Sequence, residues 1–142
     1  VNLVDANVLL YAVDEDSRDH DVSRAWLEAA LSGGSPVLLP WVSLLAFMRI
    51  ASNPRIYDRP LDWSEAVGYV ESWLASPHAW VPEPDGRHLE RMSVLLKAMG
   101  RGGNVINDAH LAALALQHNA TVVTFDTDFA RFKGIRTFTP GE

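Results

Sequence analysis

Apolar residues recur along this chain at two spacings, and the alternation between them predicts strands interleaved with helices. A short apolar strand ends at Asp5, and Ala6 to Val13 reads as a short helix with Val8, Leu9 and Ala12 inside. From His20 to Ser32, Val22, Trp26, Ala29 and Ala30 recur at helical spacing until Gly33-Gly34 stops the run. Val37 to Leu39 is the next strand. After Pro40, WVSLLAFMRIASN is apolar on nearly all sides, which predicts a largely buried helix ending at Asn53-Pro54.

The second half repeats the alternation. Asp62-Trp63-Ser64-Glu65 matches a capping box, and the helix it starts carries Ala66, Val70, Trp73 and Leu74 on one side and ends before Pro77. His78 to Val81 is a third strand. After the PEPDG turn, Leu89, Met92, Leu96 and Met99 mark a helix that Gly100 stops. RGGN then leads into NVINDAHLAALALQHNATVVTFDTDF, a buried helix followed by a short apolar strand. A turn at Lys133-Gly134 precedes a last strand, Ile135 to Phe138. The whole pattern predicts an α/β fold with a parallel sheet.

Composition adds little to this picture. The 142 residues fit one domain, 1–142, that buries about two-thirds of its unfolded surface. No apolar run approaches a membrane span, Asp5 and Asn7 interrupt any leader-like stretch, and cysteine is absent. A cytoplasmic protein with neither disulfides nor thiolate metal sites is expected. Charge changes more. A net charge of -6 excludes non-specific gripping of nucleic acid through general phosphate neutralisation, while leaving room for acids that hold cations or for a basic partner protein.

The acids sit at element ends: Asp5 after the first strand, Asp108 near a helix start, Asp126 and Asp128 after the fourth strand. In a parallel sheet the C-terminal strand ends share one edge, so Asp5 and Asp126 are brought together. Carboxylates crowded in one cleft repel unless a positive charge sits between them, and Mg²⁺ or Mn²⁺ suits such oxygen donors. Each acid alone has an ordinary explanation: an N-cap for Asp5, a first-turn acid for Asp108, an Asx-turn for Asp126 and Asp128. Their conjunction is what points to a divalent-metal site suited to phosphoryl chemistry.

LVDANVLLYA and INDAHLAALALQHNATVVTFDTDF resemble the PIN-domain family of Mg²⁺-dependent ribonucleases. With LPWVSLLAFMRIASNPRIY between them, nearly the whole chain is similar to VapC-type toxins of bacterial toxin–antitoxin pairs. The resemblance implies a PIN-like three-layer fold, with a central parallel sheet of four or five strands flanked by helices. It also implies a homodimer, an RNA substrate and a cognate antitoxin that blocks the active site. Asp5, Asp108 and Asp126 fall on the family's metal ligands, with Asp128 completing the catalytic set. The implied reaction is phosphodiester hydrolysis by a metal-activated water, leaving a 5′-phosphate and a 3′-hydroxyl. Many family members carry a glutamate where this chain has Ala46, and no acid lies anywhere from Ala29 to Tyr57. A PIN-fold module that binds RNA or protein without cutting is therefore an alternative. A phosphohydrolase of the haloacid-dehalogenase type would need a second acid where Asn7 stands.

Asn7 and Thr124 are candidates for orienting water or substrate, with capping and strand pairing as their ordinary roles. Arg49 is a candidate phosphate contact, expected beside Arg55 and Arg59 in a basic patch. The five histidines show no common ligand spacing and read as structural, as do the five tryptophans. Arg87, Arg91, Lys97 and Arg101 read as solvated surface, or as a rim that leads RNA toward Asp108.

Overall fold

The computed structural model of the chain describes residues 1–142, with six α-helices and a five-stranded sheet. Strands β1 (Asn2–Val4), β2 (Val37–Leu38), β3 (Ala79–Trp80), β4 (Thr121–Val123) and β5 (Thr137–Phe138) are all parallel, in the order β3-β2-β1-β4-β5. The chain builds outward from β1 to β3 on one side, then crosses back to add β4 and β5 on the other. This puts a topological switch point between β1 and β4, where open α/β sheets leave a crevice.

Helices cover both faces, as a parallel sheet requires. Successive strand residues feed opposite cores. Leu3, Leu38 and Val122 join one core with α5 (His88–Met99), α6 (Val105–His118) and the Phe129–Phe132 pair. Val4, Val37, Leu39 and Val123 join the other with α1 (Ala6–Val13), α2 (His20–Leu31), α3 (Trp41–Ala51) and α4 (Trp63–Leu74). The architecture is the expected three-layer PIN-like fold. No helix is long and apolar enough to cross a membrane.

Several local expectations hold. Helix α1 spans the predicted residues. At the start of α4, Asp62 accepts from the Ser64 amide at 3.3 Å while Glu65 accepts from the Asp62 amide at 3.0 Å, the two halves of the capping box. Asn119, at φ 51, turns the chain from α6 into β4.

Others are corrected. The inner face of α2 is Ser23 and Leu27, whereas Val22 is 38% exposed and meets the C-terminal segment near Gly141. Helix α3 is buried on one face only, through Ser43, Leu44, Phe47 and Ala51, leaving Trp41 and Leu45 about half exposed. Leu89 projects from α5 into solvent, and Leu95 takes the buried position. The last strand starts at Thr137, because Ile135 packs down onto the α6 core. Arg59 lines a cavity of about 270 Å³ together with Asp14, Glu15 and Asp16, so acids share the surface where a purely basic patch is expected.

Candidate active site

The register of β1 against β4 sets the site. Val4 lies beside Val123, and the Asp5 amide continues the ladder by donating to the Val123 carbonyl at 3.0 Å. Asp5 thus emerges next to Thr124 at the switch point. Its Oδ1 accepts from the Ala6 amide at 2.8 Å, making it the N-cap of α1. Its Oδ2 accepts from the Thr124 hydroxyl at 2.7 Å and, more distantly, from the Asn7 side-chain amide at 3.4 Å. Capping and site geometry are therefore served by one carboxylate.

Thr124 is 1% exposed, and its Oγ1 also accepts from the Asp126 amide at 3.0 Å. One hydroxyl links the carboxylate of Asp5 to the backbone of Asp126. Asn7 braces the same corner: its Oδ1 accepts from the Phe125 amide at 3.2 Å and its Nδ2 donates to Thr124 Oγ1 at 3.4 Å. The Tyr11 and Phe125 rings pack edge to face with centroids 5.1 Å apart, joining α1 to the same turn. Burial raises the Asp5 pKa, the hydrogen bonds from Thr124 and Ala6 oppose that rise, and the Asp126 charge adds a smaller upward push.

Asp126 caps the 3₁₀ turn Thr127–Arg131 by accepting from the Asp128 amide at 2.9 Å. This is the Asx-turn anticipated from sequence, and it leaves Oδ2 free of that bond. Arg131 Nε lies 4.0 Å from Asp128 Oδ1, a pair that its i,i+3 spacing signals but that sequence reasoning missed.

Asp108 lies in the first turn of α6, half-buried, with no hydrogen bond to its carboxylate. Its pKa is pushed up to about 6, first by burial and then by the charges of Asp126, Asp5 and Asp128, while Arg101 pulls the other way. All four candidate acids are thus electrostatic neighbours.

No three acidic or histidine side chains approach closely enough to form a ready-made metal cage. The donor set is nonetheless all oxygen and carries more negative charge than Arg101 and Arg131 offset, and Mg²⁺ keeps several waters while using only one or two carboxylates. Asp108 in particular sits where a cation would relieve both its desolvation and its repulsion. The residues present fit a hard divalent ion held partly through water.

Helix α3 adds no carboxylate, Ala46 being half-buried within it. Arg49 is exposed in its last turn and has no acid within ion-pair distance, which rules out a buried structural pair. The histidines do not gather at the site. His88 Nε2 and His110 Nδ1 lie 2.8 Å apart between α5 and α6, and His20 Nδ1 lies 2.8 Å from the Tyr11 carbonyl. Because His88 Nδ1 is buried without a partner, the cheaper tautomer keeps it unprotonated, with His88 donating through Nε2 to His110.

Comparison with known proteins bears on the chain as a whole. The model of a family described as PIN domain matches residues 3–135. Over 136 residues the chain is 47% identical to Ribonuclease VapC37 of Mycobacterium tuberculosis, covering 96% of this chain and 94% of that protein. Among solved structures, VapC20 of Mycobacterium tuberculosis, a Sarcin-Ricin loop cleaving toxin, superposes with a TM-score of 0.69 at 17% identity, covering 96% of this chain and 99% of that one. A toxin–antitoxin complex from Klebsiella pneumoniae gives 0.63 at 18% identity, covering 100% of this chain and 99% of that one.

Proposed function

The chain belongs to the PIN-domain family, among its VapC-type ribonucleases, and from that premise we propose that it is a Mg²⁺- or Mn²⁺-dependent endoribonuclease, the toxin of a toxin–antitoxin pair. The observation that supports the metal dependence is the gathering of Asp5, Asp126 and Asp128 around the half-buried Asp108, whose pKa burial and these charges push up to about 6. Asp5, Asp108 and Asp126 are the proposed ligands, with Asp128 completing the set.

When bound, the divalent ion supplies the acidity to ionise water near neutral pH and the charge to stabilise phosphoryl oxygens. The chain's own residues orient the rest. Thr124 and Asn7 fix the Asp5 carboxylate relative to the Asp126 backbone. Thr124, 1% exposed and bonded to Asp5 and Asp126, acts through those acids and does not reach substrate, whereas Arg49 offers an unpaired guanidinium to RNA phosphate. Hydrolysis with this polarity leaves a 5′-phosphate and a 3′-hydroxyl.

The proposed partner is a cognate antitoxin that covers the acidic edge, by analogy with the Klebsiella complex. Trp41 and Leu45, exposed on α3, offer apolar surface for the proposed homodimer.

The absence of an acid at Ala46 favours one other reading, a PIN module that binds without cutting. Purified protein incubated with total RNA, with Mg²⁺ or Mn²⁺ and then with EDTA, separates them. Discrete fragments that disappear with EDTA are expected; intact RNA under both conditions would leave only the binding module.

A further inference from the structure

The site presents a polyanion with an obstacle. Four carboxylates stand at its centre and the whole chain carries -6, so attraction for RNA has to come from cations placed locally. Three arginines of the second half of the chain are already engaged by acids. Arg87 Nε is 3.2 Å from Glu90, Arg91 is 2.5 Å from Asp85, and Arg131 faces Asp128.

Arg101 differs from these three. It is exposed between α5 and α6, and no acid lies within ion-pair distance of it. Its charge nonetheless reaches Asp108, on which it is the one positive influence. Gly100 and Gly103, at φ 69 and 68, flank it in conformations that side-chain-bearing residues rarely adopt. Arg101 thus stands in the loop that enters α6, ahead of the first turn that carries Asp108, with its guanidinium paired to no acid.

We propose that Arg101 binds a backbone phosphate of the RNA strand adjacent to the bond being cut. A guanidinium suits this because it meets two phosphate oxygens at once and remains charged at every working pH. Asp108 at one end and Arg101 at the other define the strand's path past the start of α6. This assignment rests on the nuclease reading above and names a substrate contact that the acids alone do not supply.

The test is steady-state cleavage of a single-stranded RNA by the full chain with Mn²⁺, across a series of salt concentrations, for wild type, Arg101→Gln, Arg101→Lys and Arg87→Gln. Losing one phosphate contact lowers the slope of log(kcat/KM) against log[salt] by about 0.7. Arg101→Gln should show that drop, with KM raised severalfold, kcat within about twofold of wild type, and Mn²⁺ affinity by calorimetry unchanged. Arg101→Lys should recover the slope, and Arg87→Gln should match wild type. A wild-type slope and KM in Arg101→Gln would overturn the assignment, as would a change confined to kcat and Mn²⁺ affinity. Wild-type protein that leaves RNA uncut with Mn²⁺ present would instead remove the nuclease reading itself.

Discussion

Asp5 and Asp108 belong to one cluster, yet their surroundings are opposite. Both oxygens of Asp5 are engaged within the fold, by Ala6 on one side and by Thr124 and Asn7 on the other. Asp108 has no hydrogen bond and carries the repulsion of three neighbouring carboxylates, which Arg101 only partly offsets. One half of the site is built by the fold, while the other is left in deficit. A carboxylate in deficit is what makes a site respond to a cation, because binding relieves a penalty the empty protein carries.

The largest expected effect comes from removing the deficit. Asp108→Asn should cleave RNA more slowly by on the order of a hundredfold or more, since a metal contribution of several kcal/mol is at stake. In EDTA at pH 7.5 the same variant should melt above wild type. An Asp108→Asn protein that melts below wild type there would show that Asp108 is a structural residue.

Thr124→Val should instead damage the prebuilt half. It keeps the shape but leaves the buried Asp5 oxygen and the Asp126 amide short of a partner, costing about 1–3 kcal/mol in chemical denaturation. Thr124→Ser should restore most of that. Equal stability of the valine and serine variants would dissolve the contrast between the two halves.

The smallest effect is also the most diagnostic. In metal-free wild type, the folded chain holds the Asp108 proton up to about pH 6, whereas the unfolded chain releases it near the ordinary value of 3.8. Stability relative to Asp108→Asn should therefore fall as pH rises from about 4 to about 6 and stay flat above. Saturating Mg²⁺ should flatten the curve. A Tm difference independent of pH in EDTA would contradict the assigned shift.

What was legible in sequence follows the same division. The order of strands and helices, the bounds of α1 and the Asp62–Glu65 box depend on neighbours in the chain, and the sequence pattern predicts them, although the strands are shorter than the pattern suggests. The meeting of Asp5 with Asp126 also followed, because parallel pairing leaves strand ends on one edge. What escaped were choices that depend on how much neighbouring surface exists. Nothing in WVSLLAFMRIASN says that only Ser43, Leu44, Phe47 and Ala51 find cover, nor that Ser23 rather than Val22 turns inward on α2. Thr124 was named as a candidate, but its link between Asp5 and Asp126 needed coordinates. For Arg101 the sequence leaves both solvated surface and an RNA-leading rim open, because whether a guanidinium finds an acid to pair with depends on the fold.

The hydrogen bond from Thr124 to Asp5 joins residues 119 apart in sequence. During synthesis β1 leaves the ribosome first, and β4 follows only after most of the chain has been made. Until then Asp5 has neither Thr124 beside it nor Asp108 and Asp126 to share a cation. A nascent chain of this protein therefore carries no assembled carboxylate cluster until β4 has been made and has paired with β1.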